Sequence, residues 1–207
     1  MRYLTKHFSR CLCVLALFAS TAAQALPTYQ VRVDTAGFDG RGILDFNFLA
    51  NAGATPASAI LSNFVGDFGA AHDRSPSVVG AMPGRITLSN QDGGAYLSQY
   101  VNLGGILSFL VRFGGAFAAT DNIDGSQFAA TLYNEDLTGY IGVPGSLVEF
   151  SLLPQTDGQP GGVEVVAVGP LASVTATSDI PEPSSMLLML GAVAMLGAGH
   201  RARTRLG

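Results

Sequence analysis

Residues 42–50 read Gly-Ile-Leu-Asp-Phe-Asn-Phe-Leu-Ala, with Leu44, Phe46 and Phe48 alternating against Asp45 and Asn47. A period of two places three large apolar side chains on one side of an extended strand and two polar ones on the other. The same alternation recurs outward from this stretch. In 106–115, Leu107, Phe109, Val111 and Phe113 share a face opposite Ser108 and Arg112, with Leu110 the apolar exception. Ile86 and Leu88 alternate with Arg85, Thr87 and Ser89, and Val31 and Val33 face inward in 29–35. Stretches 128–134, 147–153 and 163–169 read similarly. Turn dipeptides separate the runs: Asp39-Gly40, Pro83-Gly84, Gly93-Gly94, Gly104-Gly105, Asp124-Gly125, Pro144-Gly145 and Asp157-Gly158. This pattern predicts an all-β fold, an antiparallel β-sandwich of jelly-roll-like form with roughly eight to eleven strands. Residues 57–72 are ambiguous: Phe64, Phe68 and small side chains fit a helical turn, whereas Ser62-Asn63 and Gly66 favour strand.

Both flanks of this β-rich stretch carry a different pattern. Arg2, Lys6 and Arg10 precede an apolar run from Cys11 to Ala19, and Ala23 and Ala25 occupy the −3 and −1 positions of a signal-peptidase site. Residues 1–25 therefore read as a signal peptide cut after Ala25 by signal peptidase. Both cysteines, Cys11 and Cys13, lie in that segment, so an exported 26–179 domain would rely on its core without disulfides. From Ser184 to Gly199 no residue is charged. As a helix at about 1.5 Å per residue, 184–199 would span about 24 Å, slightly short of a bilayer core and within reach of local thinning. The tail 200–207 follows with Arg201, Arg203 and Arg205, a basic cluster that would hold this end in the cytoplasm. Pro181-Glu182-Pro183 keeps the chain extended just before the apolar helix, as a processing enzyme requires.

Pro181-Glu182-Pro183, an apolar helix over 184–199 and terminal arginines, in that order, resemble the PEP-CTERM sorting signal over residues 180–207. The resemblance implies that an exosortase, a membrane-embedded transpeptidase, recognises the tripeptide and cleaves nearby. The passenger would be held transiently at the inner membrane, then passed to the cell surface or extracellular matrix of a bacterium that makes exopolysaccharide. The arginines here are interleaved with Ala202, Thr204 and Leu206 instead of running together. The 26–179 domain is also similar to a phenylalanine-rich group of PEP-CTERM proteins. Gly42 and Leu44-Asp45-Phe46-Asn47-Phe48 carry that likeness, with Asn63-Phe64, Leu107-Ser108-Phe109 and Phe128 through Leu132-Tyr133. That group implies no activity.

Residues 26–179 hold five arginines, no lysine and fourteen acids, leaving a net charge of −9. An acidic, lysine-free surface argues against nucleic acid and anionic lipid as partners. Chemistry-bearing residues are sparse. His72 beside Asp73 and near Asp67 reads as an exposed loop histidine, with no second histidine or cysteine in the domain to complete a transition-metal site. No Gly-x-Ser-x-Gly elbow houses a nucleophile. Asp121-Asn122-Ile123-Asp124-Gly125 fails the EF-hand template, which would put Thr120 and Thr131 where acids belong, and reads as a turn. A calcium site of another kind would draw on Asp121, Asp124 or the Asp39 loop. Glu149 and Glu164, and Glu135-Asp136, read as solvated strand and turn positions rather than a glycosidase pair. Serines and threonines over 173–178 would permit a glycosylated stalk.

The leading expectation is a non-enzymatic exported protein with a structural or adhesive role and no cofactor or metal. The alternative is a carbohydrate-binding module for exopolysaccharide, with a secreted hydrolase behind both. Tryptophan is absent, so a sugar platform would fall to Tyr29, Tyr96, Tyr100, Tyr133 and Tyr140. Tyrosines clustered on one face would favour glycan binding; scattered ones would count against it.

Overall fold

The computed structural model describes residues 26–142 and 144–177. The signal peptide with Ala23 and Ala25, the tripeptide Pro181-Glu182-Pro183, the apolar helix 184–199 and Arg201, Arg203 and Arg205 all lie outside the described residues. Among the described residues no helix is long and apolar enough to cross a membrane.

Twelve strands follow in chain order: β1 (Thr28–Asp34), β2 (Arg41–Ala50), β3 (Ala57–Val65), β4 (Phe68–Arg74), β5 (Val78–Gly80), β6 (Ile86–Ser89), β7 (Ala95–Asn102), β8 (Ile106–Gly115), β9 (Ser126–Asn134), β10 (Val148–Leu153), β11 (Gly162–Val168) and β12 (Ala172–Thr177). They pair antiparallel in two six-stranded sheets, β12-β1-β8-β3-β6-β5 and β11-β10-β9-β2-β7-β4. The all-β expectation holds, and the strand number exceeds the expected range. One extra strand is the three-residue β5, too short to show a period. The Ser/Thr-rich stretch expected to suit a stalk is β12 instead, paired along its length with β1.

From β1 to β8 the pairing is nested: β1 with β8, β2 with β7 and β3 with β6. Successive strands therefore alternate between the sheets through β5, and the chain doubles back on itself. β9, β10 and β11 then extend the second sheet beside β2, while β12 crosses back to flank β1. The ambiguous stretch 57–72 is β3 and β4. Asn63 at φ 52° and a register shift against β8 break the alternation there. Gly66 follows at φ 121°, where an added Cβ would lie 2.6 Å from the Ile106 carbonyl oxygen, so glycine is required for the crossing to the other sheet. Phe64 and Phe68 then meet edge-to-face at 5.5 Å.

Alternation predicts the core. Leu44, Phe46 and Phe48 from the second sheet are fully buried against Leu107, Phe109, Val111 and Phe113 from the first. Aromatic contacts join the two sheets: Phe46 meets Phe109 edge-on at 5.1 Å, and Phe113 meets Phe128 at 5.9 Å and Phe150 at 5.4 Å. Tyr29 also points inward, 4.8 Å from Phe150, and donates its hydroxyl proton to the Val163 carbonyl at 3.3 Å. β11 departs from expectation: it is an edge strand, and Val165, Val166 and Val168 are exposed. Asn90 ties the sheets at one end. Its Oδ1 accepts from the Ala57 amide (2.8 Å), and its Nδ2 donates to the Thr55 carbonyl (2.9 Å) and Ser126 Oγ (2.8 Å).

Candidate glycan-facing surface

The outer face of the second sheet follows from the same alternation. With Leu44, Phe46 and Phe48 inward, Ile43, Asp45 and Asn47 of β2 point outward. On β7 the inward set is Ala95, Leu97, Gln99 and Val101, leaving Tyr96, Ser98 and Tyr100 outward. On β9, Phe128, Ala130 and Leu132 are inward and Thr131 and Tyr133 outward. Register aligns these in three rows. Ile43 lies between Tyr100 and Tyr133, Asp45 between Ser98 and Thr131, and Asn47 between Tyr96 and Ala129. Neighbouring strands are about 4.8 Å apart, so Tyr100 and Tyr133 stand about 10 Å apart, with Tyr96 about 13 Å along β7 from Tyr100.

Tyr140 joins them from the segment after β9: it bridges to Tyr133 in backbone register, and their rings stack at 5.0 Å. Four of the five tyrosines among the described residues thus share one face, while Tyr29 is in the core. Ile43 is 0% exposed, although it points outward and lies apart from the inter-sheet cluster. It lies covered between Tyr100 and Tyr133 in the strand register.

Polar contacts fix these rings. Tyr96 donates from its hydroxyl to Asp73 Oδ2 at 3.0 Å, which pushes the phenol pKa up. His72 Nδ1 lies 2.8 Å from Tyr100 Oη, and the Arg41 guanidinium sits 4.3 Å above the Tyr100 ring. Arg41 also pairs with Glu135, and that hydrogen bond raises its pKa further. At the centre, Asp45 accepts from Ser98 Oγ at 2.5 Å and from Asn47 Nδ2. Burial pushes the Asp45 carboxyl above its ordinary range, and the two donors pull in the opposite direction without cancelling the effect. Burial likewise raises Tyr133, with Tyr140 adding to the shift. Tyr96 and Tyr140, 38% and 47% exposed, present open ring surface, whereas Tyr100 is capped by Arg41. A cleft of about 110 Å³ lies elsewhere, beside β4 and β5, lined by Gly69, Arg74, Met82, Leu97 and Gln99.

The other sequence candidates disperse. His72 meets a phenol, Tyr100, and not a serine. Asn122 organises the 121–125 turn, its Oδ1 accepting from the Ile123 and Asp124 amides and its Nδ2 donating to the Gly53 carbonyl. Among the described residues no three acid, histidine or cysteine side chains gather as metal ligands. Glu149 accepts from Gln127 Nε2 at 3.4 Å, and Glu164 lies opposite Ser151 on the edge strand. Glu135 is occupied by Arg41, and Thr138 holds the Asp136 carboxyl below its usual range. The Asp45–Ser98–Asn47 group is the feature sequence reasoning misses, because Ser98 becomes its neighbour only through strand pairing. No family model, curated protein or solved structure matches this chain.

Proposed function

We propose that this chain is an exported surface or matrix protein that adheres to glycan through the outer face of its second sheet. The observation that carries the reading is the gathering of Tyr96, Tyr100, Tyr133 and Tyr140 around Asp45 on that one face. Flat rings present apolar surface to the C–H faces of a pyranose, and carboxylate and hydroxyl groups between them meet sugar hydroxyls. Exposed aromatic surface is ordinarily covered by something, and here it lies on a sheet face rimmed by polar groups. No catalytic step belongs to this reading.

The delivery route in this proposal is the exosortase one. Cleavage near Pro181-Glu182-Pro183 would release the domain from the inner membrane after signal peptidase acts at Ala25. The nested pairing of β1 through β8 is the reason we class the sandwich as jelly-roll-like. The test of the adhesive role is a glycan array probed with the full-length chain, alongside Tyr96→Ala and Tyr140→Ala. The reading expects binding that either substitution weakens. A folded chain that binds no glycan would reduce the protein to a structural component. Intact mass from the host with and without the exosortase tests the route: an end near Pro183 only when the enzyme is present supports it, and an uncut chain in both refutes it.

A further inference from the structure

Resting on the glycan-binding reading, we infer that this face takes an uncharged, hydroxyl-rich glycan, with Asp45 accepting hydrogen bonds from sugar hydroxyls. Charge on the face argues first against an anionic glycan. Asp45, Asp73 and Glu149 belong to this face or its rim, while Arg41 and Glu135 pair and offset one another. An anionic polysaccharide would bring carboxylates or sulfates within a Debye length, about 8 Å at physiological salt, of those acids. Arg74, next to Asp73 on β4, donates to the Gly80 carbonyl and offsets that repulsion only in part.

The local chemistry at Asp45 then specifies the complement. An ionised carboxylate offers about four lone-pair positions. Ser98 Oγ occupies one on Oδ1 and Asn47 Nδ2 one on Oδ2, so each oxygen keeps an acceptor position unspent. Both occupied positions are filled by donors from the protein, which orients the remaining pair without using them up. The carboxyl is only partly reached by water, so a donor arriving with a ligand replaces little competing solvent. Neutral sugars supply hydroxyl donors without net charge, and adjacent hydroxyls on one ring can address both oxygens together. Tyr96, its hydroxyl pinned by Asp73 at 3.0 Å, is held ready two residues along β7 from Ser98. Fixing a ring before binding reduces the ordering cost of the complex.

The experiment titrates the full-length chain with three soluble probes: galactomannan as the neutral polymer, alginate as the anionic one and chitosan as the cationic one. Asp45→Asn is measured in parallel, its thermal melt confirming the fold. The inference expects galactomannan to bind and alginate not to, with Asp45→Asn weakening binding about tenfold to hundredfold, as expected for a lost hydrogen bond to a charged acceptor. Binding of alginate or chitosan in place of galactomannan overturns the inference while leaving the glycan-facing surface in place. Galactomannan binding untouched by Asp45→Asn also overturns it. Failure of all three probes, with a wider array equally blank, sinks the underlying reading too.

Discussion

Phe113 is where the two sheets are joined most densely, and Phe113→Ala is the substitution that tests this. The ring is 1% exposed. It lies 6.3 Å from Tyr29 on its own sheet and 6.5, 5.9 and 5.4 Å from Phe48, Phe128 and Phe150 on the other. Truncation removes six ring carbons from a site whose walls are large aromatic rings anchored in separate strands, which limits collapse into the void. Phe→Ala in cores costs about 3–5 kcal/mol, and the poor prospect of collapse places this site near 4 kcal/mol. Against a total stability of about 5–15 kcal/mol, that is a large share. In urea, with a slope of about 2 kcal/mol per molar, the midpoint should fall by about 2 M at unchanged slope. Tyr96→Ala, on the outer face, should move stability by no more than about 0.5 kcal/mol. A midpoint shift below about 0.5 M for Phe113→Ala, at unchanged slope, would refute the inter-sheet core described here.

Three further outcomes are expected. Asn90→Ala leaves the Ala57 amide, the Thr55 carbonyl and the Ser126 hydroxyl without their partner, and should cost about 3 kcal/mol by urea denaturation, given about 1–3 kcal/mol for a single buried orphan. Gly66→Ala forces a side chain into φ 121° and against the Ile106 carbonyl, and should lower stability by at least the 1–3 kcal/mol or so typical of such backbone strain. Burial raises the Asp45 pKa in the folded state, so the folded chain holds that proton more tightly than the unfolded one. Its stabilising effect is complete below the ordinary carboxylate range, about pH 4, and is lost as pH rises through the raised value. Melting curves of Asp45→Asn should therefore gain on the parent chain as pH rises toward neutrality; a gap that stays constant with pH contradicts the assignment.

The inner face of each sheet was legible in the sequence because burial enforces a period of two, as Leu44-Phe46-Phe48 and Leu107 through Phe113 demonstrate. β7 was not, although it carries two of the face's tyrosines. Its outward positions hold Tyr96 and Tyr100 while an inward one holds Gln99, whose Nε2 donates to the Gly69 carbonyl at 2.5 Å, so polarity does not alternate with depth. The site was legible only as residue types. Ile43, Tyr100 and Tyr133 are adjacent because β2 pairs with two strands far along the chain, and long-range register leaves no local trace. The valines of β11 mislead in the opposite direction: their apolar run suits a buried strand, yet pairing on one side only leaves them at an edge.

Tyrosine footprinting read by mass spectrometry tests whether the outer face of the second sheet meets glycan. In the free full-length chain, Tyr96 and Tyr140 should be labelled and the core Tyr29, 5% exposed, should not. With a bound glycan present, labelling of Tyr96 and Tyr140 should fall together while Tyr29 is unchanged. Undiminished labelling of both residues under saturating, independently verified glycan binding would place the binding surface elsewhere on the protein.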